Sequence, residues 1–169
     1  MGWLRTWFGG RDRSAALPLY DAVVAQARQP HWYVDGAVPD TLDGRFDMIA
    51  AVLSMVVLRL EGDPHGAAPI AQITERFIDD MDAQVRQIGF GDMVVGKHVG
   101  RMMGMLGGRL GAYRDGLAGG DMEGALVRNI YRGAPPAADA LAHTRDELVR
   151  LRTALDDTGV ESLLAGRLP

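Results

Sequence analysis

The chain has 169 residues, of which 47% are hydrophobic and 24% are charged, and these proportions suit one soluble globular domain rather than a disordered chain. It contains no cysteine, which excludes disulfides, thiolate metal sites and cysteine nucleophiles, and its net charge of −4 gives no overall attraction to nucleic acid. The most apolar stretch, residues 46–58, is shorter than the roughly 20 residues of a membrane-spanning helix, and no secretory signal is evident.

The first 16 residues differ from the rest of the chain and form a separate predicted segment, followed by a helical domain over residues 17–169. Trp3 and Trp7 are one helical turn apart, and the same spacing separates Leu4 from Phe8. Three arginines make this segment locally basic within an acidic chain. Two interpretations stay open: the four apolar side chains contact an anionic membrane surface, or they pack onto the domain.

The remaining sequence predicts an all-α fold, a single compact domain of about six helices. Helical periodicity places the helices at 17–29, 44–61, 69–88, 93–117, a short segment ending near 131, and 137–156, with a tail helix near 160–164. Pro30 ends the first helix, and residues 31–41 are predicted to be an aromatic loop. The second helix, capped by Thr41 or Asp43, is apolar on almost every side, which predicts that it lies at the centre of the fold.

The predicted helix over 93–117 has an apolar side and a glycine side. The apolar residues are Val95, Val99, Met102, Met103, Leu106, Leu110, Tyr113 and Leu117. Five glycines recur every three or four residues on the other side: Gly96, Gly100, Gly104, Gly107 and Gly111. Each costs roughly 1 kcal/mol of helix propensity relative to alanine, and a surface of small residues lets another helix approach closely. The sequence favours a helix of the same domain as that neighbour, with an external partner as the alternative.

Residues 91–97 spell G-x-x-x-x-G-K, the start of a phosphate-binding loop. Such a loop requires Ser or Thr after the lysine, where His98 stands, and it follows a strand, whereas here a helix is predicted. No nucleotide binding is therefore expected. The four histidines include no pair one helical turn apart, so no metal site and no cofactor are predicted.

The helix predicted at 69–88 carries a dense group of carboxylates at Asp79, Asp80 and Asp82. A solvated helix face explains them most simply. The alternative is a metal-dependent helical enzyme, because paired carboxylates can bind metal or transfer protons.

Several segments between residues 19 and 113 resemble the ubiquinol–cytochrome c chaperone family. The most specific are VPDT-x-x-GRFD at 38–47 and D-M-D-x-x-x-R-x-x-G-x-G-D at 80–92, in this order and separation. LYDAVVAQARQPHWY at 19–33, VGK at 95–97 and GRLGAY at 108–113 extend the resemblance. The sequence departs from the family pattern at Gln87, where an acidic residue is usual, and at Gly107, where an aromatic residue is usual.

The resemblance implies an all-α assembly chaperone and not an enzyme. A family member would bind cytochrome b, its nascent chain or other respiratory-complex subunits during biogenesis of ubiquinol–cytochrome c reductase, in the vicinity of the ribosome. This chain resembles a bacterial-type member, so the expected location is the cytoplasm, at the periphery of the inner membrane. A membrane-tethering adaptor without a chaperone role is the further alternative.

The predicted partner-binding residues come from the aromatic loop and from the positions that match the family motifs. They are Trp32, Tyr33, Pro39, Asp40, Arg45, Asp47, Asp80, Asp82, Arg86, Asp92, Lys97 and Arg109. Arg45 and Asp47 flank Phe46 where the chain enters the core, so at least one of these charges is expected to be paired. Loss of Arg45 is expected to destabilise the fold if it leaves a buried acid unpaired.

Overall fold

A computed structural model of the protein describes residues 17–87 and 92–169. At positions 85, 86, 92–99 and 102 it describes the backbone alone. In this part of the chain there are eight helices and no strands, which confirms the all-α prediction. They are α1 (Leu17–Ala27), α2 (Pro30–Val34), α3 (Leu42–Glu61), α4 (Ala67–Gln87), α5 (Asp92–Leu117), α6 (Met122–Asn129), α7 (Ala138–Asp156) and α8 (Val160–Leu164). The predicted segment 1–16 lies outside the described residues.

Helix α3 is the centre of the domain, as its apolar sequence predicts. Most of its residues are buried, and α1, α4, α5 and α7 all pack against it. Of the two possible caps, Thr41 takes the role, because its hydroxyl accepts a hydrogen bond from the Gly44 backbone N–H at 3.0 Å. At its other end, Arg59 donates to the backbone oxygens of Leu155 and Thr158, which joins α3 to the end of α7.

Among the described side chains, the surrounding helices bury or partly bury the apolar positions that their periodicity predicts, with Met103 as the exception. Ile73, Phe77 and Met81 of α4 are buried, as are Leu148, Leu151 and Leu155 of α7 and Leu106 and Tyr113 of α5. The assignment of Met103 to the core is wrong, because it is 46% exposed. The buried line of α5 runs through residues 106, 109 and 113, and Met103 lies to one side of it. Among the described helices, none is both long and apolar enough to cross a membrane.

The predicted aromatic loop is instead partly helical, because Pro30 starts helix α2 within its first turn. Trp32 is fully buried, and its indole Nε1 donates to the Gln26 carbonyl at 2.8 Å. The Tyr33 hydroxyl donates to the Ala27 carbonyl at 2.9 Å. Both aromatic residues therefore satisfy carbonyl groups that the end of α1 leaves without helical partners.

Two histidines that are unrelated in the sequence meet between α2 and α7. His31 Nδ1 lies 3.0 Å from His143 Nε2, and the two rings meet edge to face. Partial burial, followed by the neighbouring His143, lowers the pKa of His31 below its usual value. Across the described ranges, no three His, Asp or Glu residues form a group that could hold a metal ion.

The glycine side of α5 faces open space along the described positions. A Cβ added at Gly100, Gly104, Gly107 or Gly111 would meet no described atom of another element within 4 Å, and the same holds for the adjacent Gly108. Contrary to expectation, no helix of the described part of the domain covers this side at these glycines. The side chains that flank it, Met103 and Met105, are exposed to 46% and 40%.

Replacing Gly107 by Ala should stabilise the protein by about 0.5–1 kcal/mol, because it reduces the conformational freedom of the unfolded chain and meets no obstacle in the fold. Gly44→Ala is the matched control. Its Cβ would lie 1.8 Å from the Pro39 carbonyl oxygen, so it should destabilise by about 1–3 kcal/mol. Urea denaturation of both variants measures the two effects, and a destabilised Gly107→Ala protein would show that this side of α5 is covered.

Candidate functional site

A buried ion-pair network joins α3, α5 and the turn after α6. Asp47 of α3 is completely buried, and Arg109 Nη2 of α5 donates to its Oδ1 at 2.6 Å. Arg132 Nε donates to Asp47 Oδ2 at 2.7 Å, and Arg132 Nη1 donates to Asp43 Oδ2 at 2.9 Å. Both carboxylate oxygens of Asp47 therefore receive a charged hydrogen bond, which compensates the cost of burying this charge.

Aromatic packing and backbone geometry hold this network in place. The Arg109 guanidinium lies 5.2 Å from the centre of the Phe46 ring, which itself packs against the Phe77 ring of α4 at 5.5 Å. Arg132 has a backbone φ of +52°, a conformation that residues other than glycine rarely adopt. Its hydrogen bond to Asp47, opposed only in part by burial, raises the pKa of Arg132 above its usual value.

Arg45 is paired as expected, but with an exposed partner. Its Nε donates to Asp40 Oδ1 at 2.7 Å, and both side chains are more than half exposed. The hydrogen bond from Arg45 lowers the pKa of the Asp40 carboxyl below its usual value. The condition for a destabilising loss of Arg45 is therefore not met, because the buried acid is Asp47 and its partners are Arg109 and Arg132.

The motifs at residues 38–47 and 80–92 both contribute side chains to one surface groove between α1, α3 and α4. The groove has a volume of about 310 Å³ and is lined by Arg28, Leu42, Arg45, Phe46, Ile49, Met81, Gln84 and Gln87. Leu42, which is 54% exposed, and the partly buried Phe46 provide apolar surface, whereas Ile49 and Met81 are each only 3% exposed. Arg28 adds positive charge, whereas the charge of Arg45 is paired with Asp40. This α1–α3–α4 groove can accept apolar side chains and place a negative charge beside them.

Asp80 lies in a second depression, which shares Arg28 with this groove. It accepts a hydrogen bond from the Tyr20 hydroxyl at 2.7 Å, and the Arg76 guanidinium lies 6.0 Å from the centre of the Tyr20 ring. Burial first, and then the contact with Asp80, raises the pKa of Tyr20. Because Asp80 is bonded to α1 while Asp79 is exposed, Asp79, Asp80 and Asp82 do not form a metal-binding group.

The predicted partner-binding residues are thus divided among different environments. Arg45 lines the groove, and Asp40 is paired with it; Asp47 and Arg109 form the buried network. Trp32 is buried beneath the surface, so its indole supports α1 rather than facing a partner. Pro39 is exposed, and Tyr33 and Asp82 are half-buried. The side chains of Arg86, Asp92 and Lys97 are not among those that the structure describes.

A further cavity between α5 and α6 was not predicted. It has a volume of about 480 Å³ and is lined by Met105, Gly108, Arg109, Arg128, Asn129 and Arg132. We call it the arginine pocket. Arg128 and Arg132 lie outside the family-like motifs, and no local pattern marks them, because only the packing of α6 against α5 brings them to Arg109.

The chain is similar to a known protein family and to a solved structure. The family model described as ubiquinol-cytochrome C chaperone matches residues 34–168. The crystal structure of the Cbp3 homolog from Brucella abortus is similar, with 30% sequence identity and a TM-score of 0.80, and the match covers 98% of this chain and 93% of that chain. A search of curated proteins found no match.

Replacing Asp47 by Ala should destabilise the protein by about 3–5 kcal/mol, because Arg109 would remain buried without its carboxylate. Asp40→Ala is the matched control and should leave stability almost unchanged, since its ion pair with Arg45 is exposed. Urea unfolding followed by circular dichroism measures both. Adding Arg109→Met to Asp47→Ala should recover part of the loss, and equal stability of the two single variants would contradict the role of the network.

Proposed function

This chain belongs to the ubiquinol–cytochrome c chaperone family, and we propose that it binds cytochrome b or its nascent chain during assembly of ubiquinol–cytochrome c reductase. The family match over residues 34–168 and the likeness to the Cbp3 homolog support an assembly role. In this role the protein acts by binding and release, without catalysing a reaction. The observation that supports this best is that both family-like motifs line a single groove.

The α1–α3–α4 groove is the surface that we propose for contact with cytochrome b. A membrane subunit outside the bilayer exposes apolar side chains, and Leu42 and Phe46 provide a surface that removes such side chains from water. Arg28 at the same groove favours polar or acidic residues at the end of the bound segment. The pairing of Arg45 with Asp40 holds the Arg45 side chain beside the groove before a partner arrives.

No observation favours the alternative of a metal-dependent enzyme. Asp80 is hydrogen-bonded to Tyr20, and the described residues hold no group of potential ligands around a common point. The membrane-tethering alternative differs from the chaperone in its consequences for the cell. A general tether would affect several membrane complexes, whereas a chaperone for cytochrome b would affect one.

Deleting the gene should lower assembled cytochrome b, measured by haem b absorbance and quinol oxidation, while the cytochrome b transcript stays level. Re-expressed Leu42→Glu protein should fail to restore it, because a charge would enter the apolar groove at an exposed position that the fold tolerates. Val149→Glu, an exposed apolar position on α7 outside the groove, is the matched control and should restore assembly.

Equal loss of other membrane complexes in the deletion strain would favour the tether instead. Unchanged haem b spectra would contradict an assembly role altogether. Full restoration by Leu42→Glu would show that the partner binds elsewhere on the protein.

We also propose that the protein works at the periphery of the inner membrane, on its cytoplasmic side and near the ribosome. The proposed contact is made by Trp3, Leu4, Trp7 and Phe8, which lie outside the described residues. Their sequence supports interfacial binding, because aromatic side chains favour the membrane interface and neighbouring arginines favour anionic headgroups.

The full chain should float with anionic liposomes at low salt, and a form lacking residues 1–13 should stay at the bottom of the gradient. Raising the salt concentration should release the full chain, because the arginine contribution is screened. Liposomes of neutral lipid serve as the control. Equal flotation of both forms would place the membrane contact outside residues 1–13.

A further inference from the structure

The arginine pocket has more positive than negative charge. Arg109, Arg128 and Arg132 line it, and the carboxylates that pair with them are Asp47 and Asp43. Arg128 is exposed and forms no ion pair with any described residue. This arrangement leaves one guanidinium without a counter-charge at the mouth of the pocket, which favours an incoming anion.

Arg109 itself is incompletely bonded. Its side chain is 7% exposed and its Nη2 is bonded to Asp47, but its Nη1 is buried and has no hydrogen-bond partner within the described part of the chain. A buried N–H group of a charged side chain without an acceptor is costly. A buried donor without an acceptor therefore lies behind the lining of the pocket, and the exposed Arg128 adds an unpaired charge at its mouth.

The open glycine side of α5 is continuous with this pocket. Gly108 lines the pocket, and Gly104 and Gly111 lie one turn before and almost one turn after it on the same side. Over residues 100–111 this side is roughly 17 Å long, from the rise per residue of an α-helix. No described atom lies within 4 Å of a Cβ at these glycines, so the surface is free along this length.

We propose that the glycine side of α5 and the arginine pocket together bind one apolar α-helix that carries an acidic side chain. The helix packs along Gly100–Gly111, and its carboxylate enters the mouth of the pocket and accepts hydrogen bonds from the exposed Arg128. This inference rests on the proposed function, since a membrane subunit is a source of apolar helices. It adds a second contact surface, on the side of the protein formed by α5 and α6.

A helix fits this surface better than a lipid does. Acyl chains pack against side chains of any shape, so a lipid site gives no reason for glycine at successive turns. A helix backbone approaches closely only where side chains are absent, and each glycine in α5 lowers the helix propensity of the chain. The exposed Met103 and Met105 beside the glycines provide adaptable apolar contacts for the flanks of such a helix.

Binding can be measured by fluorescence anisotropy of two labelled 20-residue Ala/Leu helices in mild detergent, one with a central Glu and one with Gln in its place. The full chain should bind the Glu helix at least tenfold more tightly than the Gln helix. Arg128→Gln should reduce this preference at least fivefold, because the free guanidinium is lost. Arg150→Gln, at an exposed arginine on α7, is the matched control and should keep the preference.

Gly104→Leu should weaken binding of both helices at least tenfold, because its side chain occupies the space of the approaching backbone. Thr153→Leu adds the same side chain at an exposed position of α7 and should change nothing. Val149→Glu, outside both this surface and the α1–α3–α4 groove, should also leave this affinity unchanged. If the helices do not bind as expected but gene deletion still lowers haem b, the helix site is wrong and the proposed function stands.

Three results would overturn the proposal. The first is equal affinity for the Glu and Gln helices. The second is binding to anionic vesicles that depends on Arg128 without any preference for the Glu helix, which would indicate a lipid. The third is a dimer, detected by light scattering, that Gly104→Leu converts to a monomer, since a second copy of the chain would then be the occupant.

Discussion

The carboxylate of Asp47 is completely buried in the central helix, and the positions of three other segments depend on how this charge is satisfied. Arg109 reaches it from α5, and Arg132 reaches it from the turn after α6. A buried carboxylate is tolerated only when strong hydrogen bonds replace those of water, so this geometry disfavours any sliding of α5 along α3. The same requirement holds Arg132 in its left-handed backbone conformation.

The start of α3 links this network to the proposed functional surface. Thr41 and the glycine at position 44 define the first turn, and the following three residues face different environments. Arg45 and Phe46 line the groove, while Asp47 enters the buried network. Successive residues of a helix are about 100° apart, so one short motif contributes to a surface and to the interior at the same time.

Helix α5 combines a fixed interior side with an outer side that gains little from packing. Its interior side carries Leu106, Arg109 and Tyr113, all buried, whereas its outer side presents glycines with no described neighbour. Glycine at position 44 has a steric reason, because the Pro39 carbonyl leaves no room for a Cβ. Near the end of α5, Gly116 has a similar reason, because a Cβ there would lie 2.9 Å from Met122. The described glycines from Gly100 to Gly111 have no such neighbour in the described part of the chain. A cost in helix propensity without an internal benefit is typical of a surface shaped for a partner.

The sequence by itself determined the all-α class, the central position of α3, a cap for α3 at Thr41 or Asp43, and the family. These features depend on periodicity, capping and local motifs, which act over about four residues. Only the tertiary structure decided that Asp47 pairs with Arg109 and Arg132, which are 62 and 85 residues away, and that His31 meets His143. It also decided that Trp32 is buried and that the glycine side of α5 is open. Burial and ion pairing are properties of the neighbours that packing supplies, and those neighbours are distant in the sequence.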